Sequence, residues 1–123
     1  MIRTLILATV VSLAHAPATA IDGDTVVIGQ ERIRIANIDA PELKHAQCEA
    51  EHRLALVAKA RMAELLASGT IAVHVGDPRD GRRRDRYGRT LATISVDGRD
   101  VGDILVAEQL ARPWTGKRQP WCD

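Results

Sequence analysis

The chain has 123 residues, a length typical of a single domain, and its formal net charge is +1. It contains no Phe, two Trp and one Tyr, so Val, Ile, Leu and Ala must supply its one modest core. A charge this close to zero excludes a general polyanion binder. Any phosphate binding has to come from a few positively charged side chains at one site.

The N-terminus has the pattern of an export signal. Arg3 supplies a positive start, the apolar run over residues 5–14 is too short to anchor in a bilayer, and two small-residue cleavage patterns follow. The sequence therefore predicts a signal peptide over residues 1–20, cleaved after residue 16 or 20, and a periplasmic or secreted protein. Residues 21–123 then form one domain. The alternative is that the apolar run is a buried first strand.

Two β-branched runs follow the signal, over residues 25–28 and 32–38, and they flank Gly29-Gln30. This pattern predicts a hairpin. In the second run isoleucines alternate with arginines, so Arg34 points away from the apolar face. Pro41 lacks a backbone donor and ends the strand.

The middle of the chain has the helical period over residues 49–67, with an apolar stripe that Val57 borders. Strands are predicted over residues 70–75 and 90–96, and a second helix over residues 101–110. The order of strands, helix, strands and helix indicates an α+β fold, a small curled sheet with a helix across it. The predicted stripe consists of Leu54, Ala58, Met62 and Leu65.

Three carboxylates could take part in chemistry: Asp24, Asp39 and Glu42. A gathering of carboxylates suits a hard cation such as Ca²⁺, which takes six to eight oxygen ligands. The alternative is ordinary turn chemistry, since Asp-Gly and Asp-Ala-Pro are common turn sequences.

Arginine is the second feature. The loop over residues 77–89 reads DPRDGRRRDRYGR, with six Arg against three Asp, and most of these arginines are expected to be solvated. Arg89 opens a strand and Arg34 lies within one, so both are better fixed. A planar guanidinium binds phosphate oxygens with two parallel hydrogen bonds, which Lys cannot do.

Three short segments resemble the active-site segments of the staphylococcal nuclease, or thermonuclease, family. They are IDGDTV at residues 21–26, RIANIDAPE at 34–42 and DRYGR at 85–89, in the family's order and with a predicted helix before the third. The resemblance covers about residues 21–112. It implies a five-stranded OB-fold-like β-barrel with two to three helices, and a nuclease.

The resemblance also implies roles for residues that match the family's motifs. Asp24 and Asp39 would bind Ca²⁺ through their carboxylates, and Ala40 would contribute its main-chain carbonyl where the family commonly has Thr. Glu42 would be the general base for the attacking water. Two arginines, Arg34 and Arg89, would hold the phosphate.

Arg86 and Tyr87 match substrate-contacting positions of the family. The implied substrate is DNA or RNA, single-stranded or frayed, cut with low sequence specificity, and the expected protein is a monomer with no stable protein partner. Trp114 and Trp121 lie where the alignment is lost, so neither is assigned to the site.

Two alternatives stay open. An OB-fold of this type can bind nucleic acid without cutting it, as a non-catalytic module. The two cysteines, Cys48 and Cys122, suit a disulfide in an oxidising compartment. Together with His45 and His52, whose spacing places them on one helical face with Cys48, they could instead bind zinc.

Overall fold

The computed structural model describes residues 17–123 in full and the backbone of residues 10–12. Most of the predicted signal peptide, including the first cleavage site, therefore lies outside the described residues. Within the described part, no helix is long and apolar enough to cross a membrane.

The described chain forms nine strands and two helices. The predicted α+β class is confirmed, since a curled sheet carries the longer helix across it. The helices are α1, Glu49–Leu66, and α2, Val101–Ala107. The strands are β1 (Val10–Ser12), β2 (Ala18–Asp22), β3 (Thr25–Ile28), β4 (Glu31–Ile35), β5 (Ile38–Asp39), β6 (Ile71–Val75), β7 (Thr90–Val96), β8 (Arg99–Asp100) and β9 (Arg112–Pro113).

The main sheet has the strand order β1-β6-β7-β4-β3-β2, and β8 adds to β7. Only the β4–β7 pair is parallel among the pairs of this sheet that the structure describes. Since β1 and β2 are consecutive in the chain yet stand at opposite ends of this order, the sheet curls toward closure. Strands β2, β3, β4, β7 and β6 form the predicted five-stranded OB-fold-like barrel.

Aliphatic side chains fill the barrel at every second position of its strands. Ile33 and Ile35 are buried while Arg34 lies on the other side of β4, as predicted. From α1, Met62 and Leu65 pack onto the same core. Val57 is 54% exposed, so the expectation that it borders the buried stripe is wrong; Ala55, on the other flank of the stripe, is buried instead.

Two predicted elements differ from the structure. The strand predicted over residues 32–38 is interrupted by a turn at Ala36–Asn37, which separates β4 from β5. The second helix ends at Ala107 rather than at residue 110, because Gln109 has a left-handed backbone with φ of 64°.

Candidate active site

The turn between β2 and β3 carries two carboxylates on one face of the barrel. A bulge between Ala20 and Asp22 turns the chain just before this point. Gly23 allows close packing, since a Cβ there would lie 3.0 Å from the Cβ atoms of Ala40 and Ala58. The turn therefore sits directly against the segment that follows β5.

Asp24 joins the two segments that were predicted to share a cation. Its side chain is buried, and its Oδ2 accepts a hydrogen bond of 2.9 Å from the backbone N–H of Ala40. The Thr25 hydroxyl donates to its Oδ1 over 3.4 Å. Since Ala40 directly follows Asp39, the structure brings Asp24, Asp39 and Ala40 together.

Arg34 lies beside this carboxylate with its guanidinium held in place. Its Nη1 donates to the carbonyl oxygens of Ile35 and Ile38, the latter over 2.9 Å, and its Nη2 lies 3.7 Å from Asp24 Oδ2. The Trp114 ring lies over the guanidinium, 5.7 Å from Cζ to the ring centroid. Arg34 is thus oriented before any substrate arrives.

Arg89 reaches the same cluster from the charged loop. Its backbone N–H and its Nε both donate to the Asp85 carboxylate, over 2.9 and 2.7 Å, and its Nη1 donates to the Thr25 hydroxyl over 3.4 Å. Partial burial acts to raise the pKa of Asp85, but the hydrogen bonds from Arg89 hold this pKa below its usual range. Asp85 therefore stays ionised and fixes the guanidinium next to Thr25.

The two arginines line one cleft of about 610 Å³. Tyr87 is 73% exposed at its edge, with Arg86 and Arg89 lying 5.5 and 5.6 Å from its ring centroid. Guanidinium groups beside an exposed aromatic ring match the phosphates and bases of a single strand. The cleft is also lined by Arg82, Trp114 and Arg118.

Asp39 has the chemistry of a cation ligand. It is buried, and its Oδ1 has no hydrogen-bond partner among the described residues. Burial raises the pKa of Asp39; Arg118 opposes the rise and the nearby charge of Asp24 adds to it. Arg118 Nη1 lies 3.7 Å from this oxygen, beyond hydrogen-bond distance. A buried carboxylate oxygen without a hydrogen bond is a group that a bound cation would satisfy.

Side chains alone do not complete a metal site. Within the described residues, no group of three or more His, Cys, Asp or Glu side chains is arranged to hold a metal ion. The available donors are therefore the carboxylates of Asp24 and Asp39, the Ala40 carbonyl and solvent. Ca²⁺ accepts such a mixture of carboxylate, carbonyl and water oxygens.

Glu42 lies near these groups and is partly exposed. Its Oε2 accepts a hydrogen bond of 3.0 Å from Arg118 Nη1, and its backbone N–H donates to Glu51 Oε2 over 2.9 Å. The pKa of Asp22 is raised to about 6, first by burial and then by the negative charges of Asp24 and Glu42. Since Arg118 Nη1 also lies 3.7 Å from Asp39 Oδ1, Glu42 shares one face with Asp39.

Comparison with known proteins accounts for this arrangement. A family model described as "Staphylococcal nuclease homologue" matches residues 32–120. The chain belongs to the staphylococcal nuclease family. The match includes Arg34, Asp39, Glu42 and Arg89, while the turn with Asp24 lies just before it.

Two curated relatives come from Bacillus subtilis. Endonuclease YncB and the SPbeta prophage-derived endonuclease YokF are each 36% identical to this family member over 97 residues, or 76% of the chain. The aligned part makes up 44% of YncB and 31% of YokF. The chain thus spans less than half the length of either relative.

Four residues of this face were missed from the sequence. Asp22 ends β2 and directly precedes the Gly23-Asp24 turn, so its place in the quoted IDGDTV segment could have identified it. Asp85 lay in a quoted motif without a role. Glu51 looked like a solvated helix charge, yet it is buried. Arg118 follows the last predicted element and gave no signal.

The cysteines pair with each other. Cys48 and Cys122 form a disulfide with a Cα–Cα distance of 6.1 Å, and no free cysteine remains in the chain. The bridge uses both sulfurs, so the alternative zinc site with His45 and His52 is wrong for this structure. Cys48 also caps α1, where its Sγ accepts from the Glu51 N–H over 3.4 Å.

Proposed function

We propose that this protein is a calcium-dependent nuclease that hydrolyses phosphodiester bonds of DNA and RNA with low sequence specificity. One observation carries the proposal: Arg34 from β4 and Arg89 from the end of the charged loop both approach Asp24. Arg34 lies 3.7 Å from Asp24, and Arg89 reaches the Thr25 hydroxyl that donates to Asp24. Two guanidinium groups beside a buried carboxylate suit a phosphate bound next to a cation.

The cation would be held by the carboxylates of Asp24 and Asp39 and by the Ala40 carbonyl. Asp39 Oδ1 supports this assignment, since it is buried without a hydrogen bond and Arg118 Nη1, at 3.7 Å, is too far away to donate one. Bound calcium would polarise the phosphate and offset its negative charge.

The chain's own residues would carry the remaining steps. Glu42 would take a proton from the attacking water as general base, and its partial exposure leaves room for that water. Arg34 and Arg89 would hold the phosphate oxygens and stabilise the charge that grows on them in the transition state. Because both guanidinium groups are already fixed by hydrogen bonds, little reorganisation is needed on binding.

The substrate would be a single or frayed strand. Tyr87 offers an exposed ring for base stacking, Arg86 lies beside it, and Trp114 lines the same cleft. Stacking accepts every base, which agrees with low sequence specificity. We propose that the protein acts as a monomer without a stable protein partner.

A non-catalytic nucleic-acid-binding module is the second candidate. The ion pair between Arg118 and Glu42 favours it, since Arg118 engages Oε2 of Glu42 and leaves only the other oxygen to act as a base. Such a module would bind single strands in the same cleft and leave them intact.

Export remains a proposal, with a periplasmic or secreted protein as the result. The disulfide suits an oxidising compartment. Cleavage at either site would remove β1 from its pairing with β6. Cleavage after residue 16 would leave β2 whole, whereas cleavage after residue 20 would also remove Ala18, Thr19 and Ala20 from their pairing with β3. Mass determination of the exported protein would distinguish the two products.

A nuclease assay with a binding control tests the function. Protein from residue 17 onward is incubated with labelled single-stranded DNA and RNA, with calcium or with excess chelator, and Glu42→Gln is run alongside. We expect cleavage only with calcium and strong loss in the variant. Retarded but intact substrate for both proteins would favour the binding module, and full activity in chelator would exclude the calcium role.

A further inference from the structure

The C-terminal segment over residues 114–122, here called the strap, crosses the face that carries the carboxylates. It begins at Trp114, whose backbone N–H donates to the Asn37 carbonyl over 3.0 Å. It ends at Cys122, which the disulfide joins to the start of α1. Both ends of the strap are thus attached to the barrel domain, and Arg118 lies between them.

Arg118 contacts two residues of the proposed catalytic site with one atom. Its Nη1 lies 3.0 Å from Glu42 Oε2 and 3.7 Å from Asp39 Oδ1. It lines both the arginine-rich cleft and the neighbouring hollow that contains Glu42, Glu51 and Cys122. No other residue lines both of these two spaces among the described residues.

The disulfide fixes Glu42 from the other side as well. Cys48 accepts a hydrogen bond from the Glu51 N–H, and the buried Glu51 carboxylate accepts from the backbone N–H groups of Glu42 and Gln47, each over 2.9 Å. The bridge therefore joins two supports of Glu42: the strap with Arg118, and the helix start with Glu51.

We propose that Arg118 is a positioning residue that holds the Glu42 carboxylate, and that the Cys48–Cys122 disulfide keeps it there, so the bridge is needed for catalysis. This inference rests on the proposed role of Glu42 as general base. Arg118 orients one carboxylate oxygen and leaves the other to face the water. Reduction of the bridge would leave the Cys122 end of the strap held only by noncovalent contacts such as the hydrogen bonds from Arg112 to the Gln119 and Pro120 carbonyls, and would loosen the orientation of Glu42.

Substitution of Arg118 leaves the disulfide intact and tests the contact alone. We expect Arg118→Ala to lower kcat by roughly 10-fold to 100-fold with little change in KM, since misplacing a catalytic group has effects of this size. Because both contacts use one nitrogen, Arg118→Lys should recover most of the rate. The matched control is Lys117→Ala. Lys117 is the exposed neighbour of Arg118, and it forms no ion pair with the described residues.

A double-mutant cycle asks whether Arg118 acts through Glu42. In the Glu42→Gln background, Arg118→Ala should change the residual rate by less than about 2-fold, because the carboxylate it orients is gone. A rise in KM with unchanged kcat, or equal losses in both backgrounds, would overturn the positioning role and indicate a phosphate contact instead.

The role of the disulfide can be tested with a measurement that does not depend on activity. Both tryptophans of the chain lie in the strap, so intrinsic fluorescence reports its position. We expect reduction, or Cys48→Ser with Cys122→Ser, to shift the emission and lower kcat as Arg118→Ala does, while far-UV circular dichroism is retained. If reduced and folded protein cleaves at the parent rate, the role of the bridge is wrong.

These outcomes separate the inference from the proposed function. If the parent protein does not cleave, the nuclease assignment is wrong. If Glu42→Gln cleaves normally, Glu42 is not the general base. If the parent protein cleaves, Glu42→Gln is inactive and Arg118→Ala is fully active, then only the positioning role of Arg118 is wrong. If the double serine variant does not fold, Arg118→Ala decides the question, since it keeps the bridge.

Discussion

The Nη1 atom of Arg89 lies 3.4 Å from the Thr25 hydroxyl, although 64 positions separate the two residues. The hydroxyl accepts from Arg89 and donates to Asp24, so it connects the charged loop to the turn between β2 and β3. The proposed phosphate-binding groups and the carboxylates therefore share one face of the barrel. In-line attack on a bound phosphodiester needs this arrangement.

The planar guanidinium of Arg89 should be essential to cleavage. Arg89→Lys keeps the charge but loses the Nε bond to Asp85 and the second donor for phosphate. We expect kcat/KM to fall by about 100-fold, comparable to removing one transition-state donor. Arg83→Lys, on an exposed part of the same loop, should cleave at the parent rate. A parent rate for Arg89→Lys would contradict the phosphate assignment.

Glu42→Gln should separate binding from chemistry. The amide keeps the size of the side chain but cannot take a proton, and loss of a general base lowers rates by roughly 10²-fold to 10⁴-fold. Binding of a single-stranded oligonucleotide in calcium should be retained, because other residues make the proposed contacts to phosphate and bases. Steady-state cleavage and fluorescence anisotropy on the same protein measure both quantities.

Local patterns in the sequence were sufficient for much of the fold. Strand β7 was predicted to the residue, since a β-branched run there ends in Asp97-Gly98, and both of these residues have positive φ as a tight turn requires. Most proposed site residues, such as Asp24 and Arg34, lie in short contiguous motifs, which is why they could be picked out before the fold was known.

The rest depended on contacts that no local pattern encodes. Arg118 meets Glu42 across 76 positions, and the disulfide holds the strap near it. Glu51 lies in a helix where a charge is normally solvated, and only the fold shows that it caps two backbone N–H groups. Gln109 ends α2 in a left-handed conformation that a non-glycine residue seldom adopts, so the helix was predicted too long.

Calcium should stabilise the folded protein through Asp39. A ligand at 100 times its dissociation constant adds about 2.7 kcal/mol, which corresponds to roughly 10 to 20 °C in Tm for a domain of this size. Asp39→Asn removes the buried carboxylate charge and should abolish this rise. Its Tm in chelator should stay close to that of the parent, because relief from burying the charge offsets the lost contact with Arg118. Thermal unfolding with calcium and with chelator measures both.

The contact between Arg118 and Asp39 makes a second prediction about the cation. Since Arg118 Nη1 lies 3.7 Å from Asp39 Oδ1, its positive charge competes with a bound cation for the same carboxylate. Arg118→Ala should therefore bind calcium more tightly than the parent, even though it cleaves more slowly. Calorimetric titration with calcium in the absence of substrate measures the affinity, and weaker binding by the variant would contradict the competition.

Asp22 should make the calcium-free protein less stable as the pH rises. Burial and the charges of Asp24 and Glu42 raise its pKa from 3.8 to about 6, so the folded state holds this proton more tightly than the unfolded chain does. The free energy of unfolding therefore falls as the pH rises from about 4 to about 6, and the loss is complete above the folded pKa.

Asp22→Asn removes this penalty. Raising a pKa by two units corresponds to about 3 kcal/mol, and solvent screening at the half-exposed side chain reduces the expected gain at pH 7.5 to about 1–2 kcal/mol. At pH 4, where the parent carboxyl is protonated in the folded state, the two proteins should be nearly equally stable. Urea unfolding in chelator at both pH values measures the difference, with Asp80→Asn in the exposed loop as the control. Equal gains at pH 4 and 7.5 would show that the charge of Asp22 is not the cause.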